Sequence, residues 1–390
     1  MRVGLIAIGD AIEAAATGKL AGRSLARHQL DFALAQGCEK IVLLGHGASK
    51  EAIELRQAAE AGGAQCQVAR GVRDLPAMVR GDDQLVVLAH GLLPDSSAAF
   101  EQLRAGYGVL VLPAEPGWAA GFERLDLAAA WGGAMVIPGR IVAGLDQLSE
   151  DAEPIAGLLR LARQAGVPER PLLERELVEG NWQIVRTAEA ARAHEPAWLH
   201  RRLPAGSPFR PTAWLARTLV RLFGSSWIDR SRAAAALPVA ALLALAAAVV
   251  AAWYDFPALA FVALVPAALA IEAADAFGLL TRSMFVSESR DTRLYFTFRL
   301  MWDVALVVVG AMAIDGSGAG RLFAPLVTVG VVRAVPAFPE TGWRALAGDR
   351  GLLAALLAVA AGLRLTEGGF MVLALLLLVL RIAVPGDQRG

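Results

Sequence analysis

Between Ala233 and Trp253 the chain runs for 21 residues without a charged side chain. An α-helix rises about 1.5 Å per residue, so this run matches the roughly 30 Å hydrocarbon core of a bilayer. It predicts a membrane-spanning helix. Five apolar segments follow and are read the same way: Phe256–Leu280, Phe296–Ile314, Leu322–Val335, Leu352–Leu363 and Gly369–Val384. The last part of the chain, 233–390, is therefore expected to be an all-α polytopic membrane domain of about six transmembrane helices.

Loop cations set the expected orientation. The turn at Tyr254-Asp255 has none, whereas the next connection holds Arg282, Arg290 and Arg293. Arg321 stands alone in the third, and Arg333, Arg344 and Arg350 flank the fourth. Cationic loops stay in the cytoplasm. The expectation is a multi-pass protein of the inner (cytoplasmic) membrane with both termini cytoplasmic. No secretory signal pattern opens the chain, because Met1-Arg2-Val3 leads straight into a strand-like run.

The first 203 residues read differently. Short apolar runs at Val3–Ile8, Ile41–Leu44, Gln65–Ala69, Leu85–Ala89 and Val109–Leu112 predict buried strands. Helical periodicity appears over Ser24–Gln36 and Glu51–Glu60, with Gly37 and Gly62-Gly63 as stops. Alternation of this kind implies an α/β domain with a parallel sheet, whose ligands bind beyond the carboxyl ends of the strands. Gly9–Lys19, Gly45–Ser49 and His90–Asp95 occupy those positions. Lys and Arg together number 37, as do Asp and Glu, so no net basic field points to nucleic acid. Cys38 and Cys66 lack metal-ligand spacing and are expected to be free buried thiols.

Between the two parts, Leu203–Pro211 is rich in proline and reads as a linker. Trp214, Leu215, Leu219, Leu222, Phe223 and Trp227 then recur at helical spacing, with Arg217, Arg221, Arg230 and Arg232 among or after them. Two readings of 204–232 stand: an amphipathic helix on the membrane surface, or a helix packed on the soluble domain.

The run Gly18-Lys19-Leu20-Ala21-Gly22-Arg23-Ser24-Leu25, followed by Ala35-Gln36-Gly37-Cys38-Glu39-Lys40-Ile41-Val42, resembles GT-A-type nucleotidyltransferases. The resemblance covers roughly residues 1–200 and implies nucleotide binding by Gly18, Lys19 and Arg23. Two departures stand out. Asp10 and Glu13 occupy the loop where phosphates would be cradled, and His90 stands where that family places a metal-binding aspartate.

In the membrane part, acidic residues fall inside apolar segments, where charge is expensive and marks function. Glu272 and Asp275 are spaced to share a helix face, and Asp303 follows in the third segment beside Arg299. They suit either a divalent-cation site or interfacial charges plus an Arg299–Asp303 ion pair. Glu272-x-x-Asp275 resembles the first half of the CDP-alcohol phosphatidyltransferase signature. Ala276 replaces its first glycine, Arg282 comes later than its arginine, and Val307 stands where the partner of Asp303 would be. The resemblance implies Glu272, Asp275 and Asp303 as ligands of Mg²⁺ or Mn²⁺, and Asp303 and Arg282 as catalytic groups.

The order of the two parts is similar to fusions that make a CDP-alcohol and then use it, of the inositol-phosphate cytidylyltransferase type. That similarity implies phospholipid or polar-alcohol phosphate metabolism, with membrane lipid and a CDP-alcohol as partners and a homodimer as the assembly. With motifs incomplete in both halves, the expectations are a divergent or inactive phosphotransferase fusion, or a non-enzymatic membrane scaffold or transport accessory with a cytosolic partner-binding domain.

Overall fold

A computed structural model describes residues 1–8, 18–147, 149, 152–228, 233–281, 285, 290–315, 320–334 and 343–382. The chain folds as two compact units. One is Met1–Trp198 with Arg282–Ser287, and the other is Leu199–Thr281 with Glu288–Gly390.

The first unit is built on a seven-stranded sheet, in the order β10-β8-β9-β6-β1-β4-β5. These strands are β1 (Arg2–Ala7), β4 (Lys40–Leu44), β5 (Gln65–Ala69), β6 (Gln84–Leu88), β8 (Gly108–Pro113), β9 (Ala129–Pro138) and β10 (Glu169–Pro171). Two small antiparallel pairs accompany them: β2 (Lys19–Leu20) with β3 (Arg23–Ser24), and β7 (Leu92–Pro94) with β11 (Trp182–Ile184). The sheet is mostly parallel, and β9 alone runs antiparallel, to both β6 and β8. Every residue of β4 is buried, as the continuous run Lys-Ile-Val-Leu-Leu requires of a strand covered on both faces.

Serine caps start three helices of this unit. Ser24 accepts from the Arg27 N–H to open α1 (Leu25–Ala35), and Ser49 accepts from Ala52 to open α2 (Lys50–Ala61). Ser96 does the same for α3 (Ser97–Arg104) through Ala99. A further helix, α4 (Pro154–Gln164), buries Ile155, Leu158 and Leu159, and α5 (Ala188–Arg202) closes the α/β region. Cys38 and Cys66 are both free thiols; Cys38 is buried and Cys66 half-buried. Burial pushes the Cys38 thiol up to about 12. The core includes Phe285 among its packed residues: the ring stacks on Phe100 at 4.3 Å and meets Phe32 edge-on at 5.2 Å.

The second unit is helical: α6 (Pro211–Ile228), α7 (Ala233–Trp253), α8 (Pro257–Thr281), α9 (Arg290–Ala313), α10 (Gly320–Ala334), α11 (Arg350–Gly362) and α12 (Thr366–Ile382). Helices α7 and α8 pack through small residues. Ala241, Leu245, Ala248 and Ala252 are buried on one, and Ala260, Leu264, Ala267, Ala268 and Ile271 on the other. Such faces let backbones approach closely where lipid removes the hydrophobic drive between helices. The outer faces of α7 carry exposed Val239, Leu242, Leu243 and Val250.

The expected six spans are corrected to three among the described residues. Ala236–Trp253, Pro257–Leu280 and Leu294–Ala313 are long and apolar enough to cross a membrane. Helices α10, α11 and α12 have 15, 13 and 17 residues. At about 1.5 Å per residue none reaches a bilayer's hydrocarbon thickness. Their composition is apolar, but their length falls short.

Helix α6 occupies the place expected of the joint helix. It buries small residues (Ala213, Ala216, Val220) and leaves Trp214, Leu215, Leu222 and Phe223 exposed. Trp227, Arg230 and Arg232 lie outside the described side chains.

Candidate functional sites

In the first unit a pocket lies beyond the carboxyl ends of the neighbouring strands β1 and β6. Ile8, Gly18, Ser24, Gln29, Glu51 and His90 are among its lining residues. This is where a parallel sheet places ligands. The β2–β3 hairpin forms part of its edge. Its turn residues Ala21 and Gly22 have φ of 49° and 72°, and Gly18 before it has 74°. At Gly18 a Cβ would fall 2.6 Å from the Ala188 Cα, so both backbone angle and space demand glycine. Glu195 accepts a hydrogen bond from the Ala21 N–H, and burial raises its carboxyl above the ordinary range.

The residues expected to bind a nucleotide are arranged unevenly. Gly18 lines the pocket. Lys19 sits opposite Ser24 in the hairpin and is exposed. Arg23 turns instead to Asp31, at 2.5 Å, where Arg27 joins it at 3.2 Å. Asp10 and Glu13 lie outside the described residues. His90 is exposed at the end of β6.

Gln29, in the run Arg27-His28-Gln29-Leu30 that continues the nucleotidyltransferase-like segment but was assigned no role, is the pocket's most buried polar residue at 1% exposure. Its Nε2 donates to the carbonyls of Ala89 and Leu92, both at 2.8 Å, and so fixes the chain that follows β6. A buried glutamine on a helix face that otherwise carries apolar side chains was the available signal.

The second unit holds two charge clusters. In the first, Arg299 donates to Glu272 at 2.7 Å, Arg210 stands 3.9 Å from the same oxygen, and the Arg299 guanidinium lies 4.5 Å over the Tyr295 ring. In the second, Asp303 is 3% exposed and accepts three hydrogen bonds: from Arg333 Nε at 2.7 Å, Arg350 Nε at 2.9 Å and an Arg350 terminal nitrogen at 3.1 Å. Arg350 also lies 5.9 Å from the Trp302 ring. Trp302, fully buried, donates to the Leu264 carbonyl at 3.0 Å.

The Arg299–Asp303 pair expected from helical spacing does not form. Each residue turns to other helices instead, Arg299 to Glu272 on α8 and Asp303 to Arg333 on α10 and Arg350 on α11. Asp275 lies on α8 one turn beyond Glu272 and is half-buried. Arg282 lies outside the described residues. Asp349, 2% exposed, accepts from Leu352 N at 2.9 Å and so caps α11. The same carboxylate accepts from the Thr212 N–H at 2.8 Å and from the Thr212 hydroxyl, at the first turn of α6.

These carboxylates fit a divalent metal poorly. Metal ions take the oxygen lone pairs that guanidiniums occupy at Glu272 and Asp303, and a cation there would meet like charge. Among the described residues, no group of three or more His, Cys, Asp or Glu side chains is placed to hold a metal ion. A scan against protein-family models and a search of curated proteins returned no match to this chain.

Proposed function

We propose that this chain is a membrane protein of phospholipid or polar-alcohol phosphate metabolism that binds its ligand and does not transfer it. In this reading it has the architecture of a nucleotidyltransferase–phosphotransferase fusion without the transfer chemistry. The supporting observation is the pairing of Glu272 and Asp303, each with an arginine at 2.7 Å. A transferase of the resembled type would need those oxygens for metal and, at Asp303, for a proton. The pairing of Arg23 with Asp31 supports the same reading in the first unit. The three long apolar helices and the exposed aromatic face of α6 support insertion. Arg282, Arg290 and Arg293, at and just beyond the connection between α8 and α9, support an inner-membrane location with that side and the N-terminus facing the cytoplasm; three crossings would leave the C-terminus on the opposite side, in place of the expected cytoplasmic one.

The test is turnover. Purified full-length protein in detergent is incubated with a panel of CDP-alcohols, candidate acceptors and Mn²⁺, and CMP release is measured beside Asp303→Asn. The expected result is no release above the protein-free control. CMP release that the substitution abolishes would overturn the reading.

A further inference from the structure

Phe285 joins two parts of the chain that the sequence keeps far apart. Helix α8 ends at Thr281 and α9 begins at Arg290, yet Arg282–Ser287 between them belongs to the first unit. The Phe285 ring lies parallel to that of Phe100, at 4.3 Å and 6°, and meets Phe32 edge-on. Stacked and edge-on contacts are the arrangements that aromatic pairs favour. The rings that receive it are buried and held from behind. Trp182 meets Phe32 at 6.1 Å and donates to the Gly132 carbonyl at 2.6 Å. Gln36 donates to the Phe100 carbonyl at 2.7 Å.

The helix behind this contact is also the helix of the pocket. Gln29, Phe32 and Gln36 fall at i, i+3 and i+7 along α1 and its cap, so they share one stripe. Gln29 holds the pocket's edge through the carbonyls of Ala89 and Leu92. Phe32 takes Phe285, and Gln36 fixes the backbone of Phe100. Both glutamines are buried, so neither can turn away without leaving an amide donor unbonded. A close-packed interior transmits strain. A displacement of Phe285 against Phe32 therefore reaches the chain at Ala89–Leu92 through one helix.

We propose that Phe285 is a latch through which the connection between α8 and α9 acts on the pocket. Docked, it holds α1 and with it the pocket's edge at Ala89–Leu92; undocked, it loosens both. Coupling of this kind runs equally in both directions. The latch does not depend on what the pocket binds or on whether any group is transferred.

The test is hydrogen exchange of the full-length protein in maltoside micelles, read by mass spectrometry. Phe285→Ala should speed exchange in α1 and α3, and also about tenfold at Ala89–Leu92, while β4 stays unchanged. About tenfold corresponds to the loss of one aromatic pair. Faster exchange confined to α1 and α3 would overturn the proposal and leave Phe285 as local packing. If β4 speeds up as well, the variant is destabilised throughout. Phe285→Leu, which removes the ring and keeps an apolar side chain, then decides by the same criterion. The reverse direction is read by fluorine NMR with para-fluorophenylalanine at position 285. Gln29→Met keeps the length of the side chain and removes its donors to Ala89 and Leu92. It should lower the ratio of docked to undocked signal by a similar factor. A docked signal that Gln29→Met leaves unchanged would equally sink the latch.

Discussion

Glu195 shows how one carboxyl can couple stability to pH. It anchors the β2–β3 turn by accepting from the Ala21 N–H, yet burial raises its pKa above the ordinary carboxylate range. The folded state therefore holds this proton more tightly than the unfolded chain. Its contribution is full below the ordinary carboxylate pKa and is lost as pH rises through the raised folded value. Glu195→Gln keeps an acceptor for Ala21 without the buried charge. Thermal unfolding of the full-length protein should show a higher Tm for the variant at pH 7, with the gap closing toward pH 4. An equal gap at both pH values would assign the effect to packing. Sequence gave no hint of this coupling, because it depends on a residue far from the hairpin. The glycine at 18 was legible as part of a motif, but the reason for it, the Ala188 backbone, was not.

At the scale of elements, Asp349 has the most consequence for its size, since one carboxylate serves the first turns of α6 and α11. Asp349→Ala removes a cap and leaves the Thr212 N–H and hydroxyl without this acceptor. A loss of about 2 to 3 kcal/mol is expected, from about 1 for a cap and the remainder from buried donors. Thermal unfolding in detergent measures it. Asp349→Asn, which keeps one carbonyl oxygen, should recover part of the loss, and identical behaviour of the two variants would rule out the capping account. The parallel strands β1, β4 and β6 were readable because burial on both faces leaves unbroken apolar runs. Strand β9 was missed. Gly132 and Gly133 interrupt its apolar run and weaken its strand pattern, yet the structure needs a glycine there, since a Cβ at Gly132 would crowd Leu110 at 3.1 Å. The charges within the spans were visible in the sequence. Their partners were not, because spacing along one helix says nothing of the helices that pack beside it.

For the whole molecule, the three long helices and the exposed apolar faces of α6 and α7 lead to a simple expectation. After cell disruption the protein should stay with membranes through high salt and alkaline carbonate, and leave them in detergent. Release by carbonate would show that the helices do not insert. The division between an α/β part and an apolar helical part was plain from composition. The reach of each apolar segment was not, because α10, α11 and α12 share the composition of a span without its length.

Phe285 imposes an order on the making of this chain. Its ring stacks within the aromatic group of Phe32 and Phe100, yet it is translated after α7 and α8. N-terminal regions ordinarily fold as they leave the ribosome. Here the first unit must wait with part of its aromatic cluster uncovered until two more helices have been synthesised. A nascent chain stalled at Trp198 would present that surface to water and to whatever chaperone meets it.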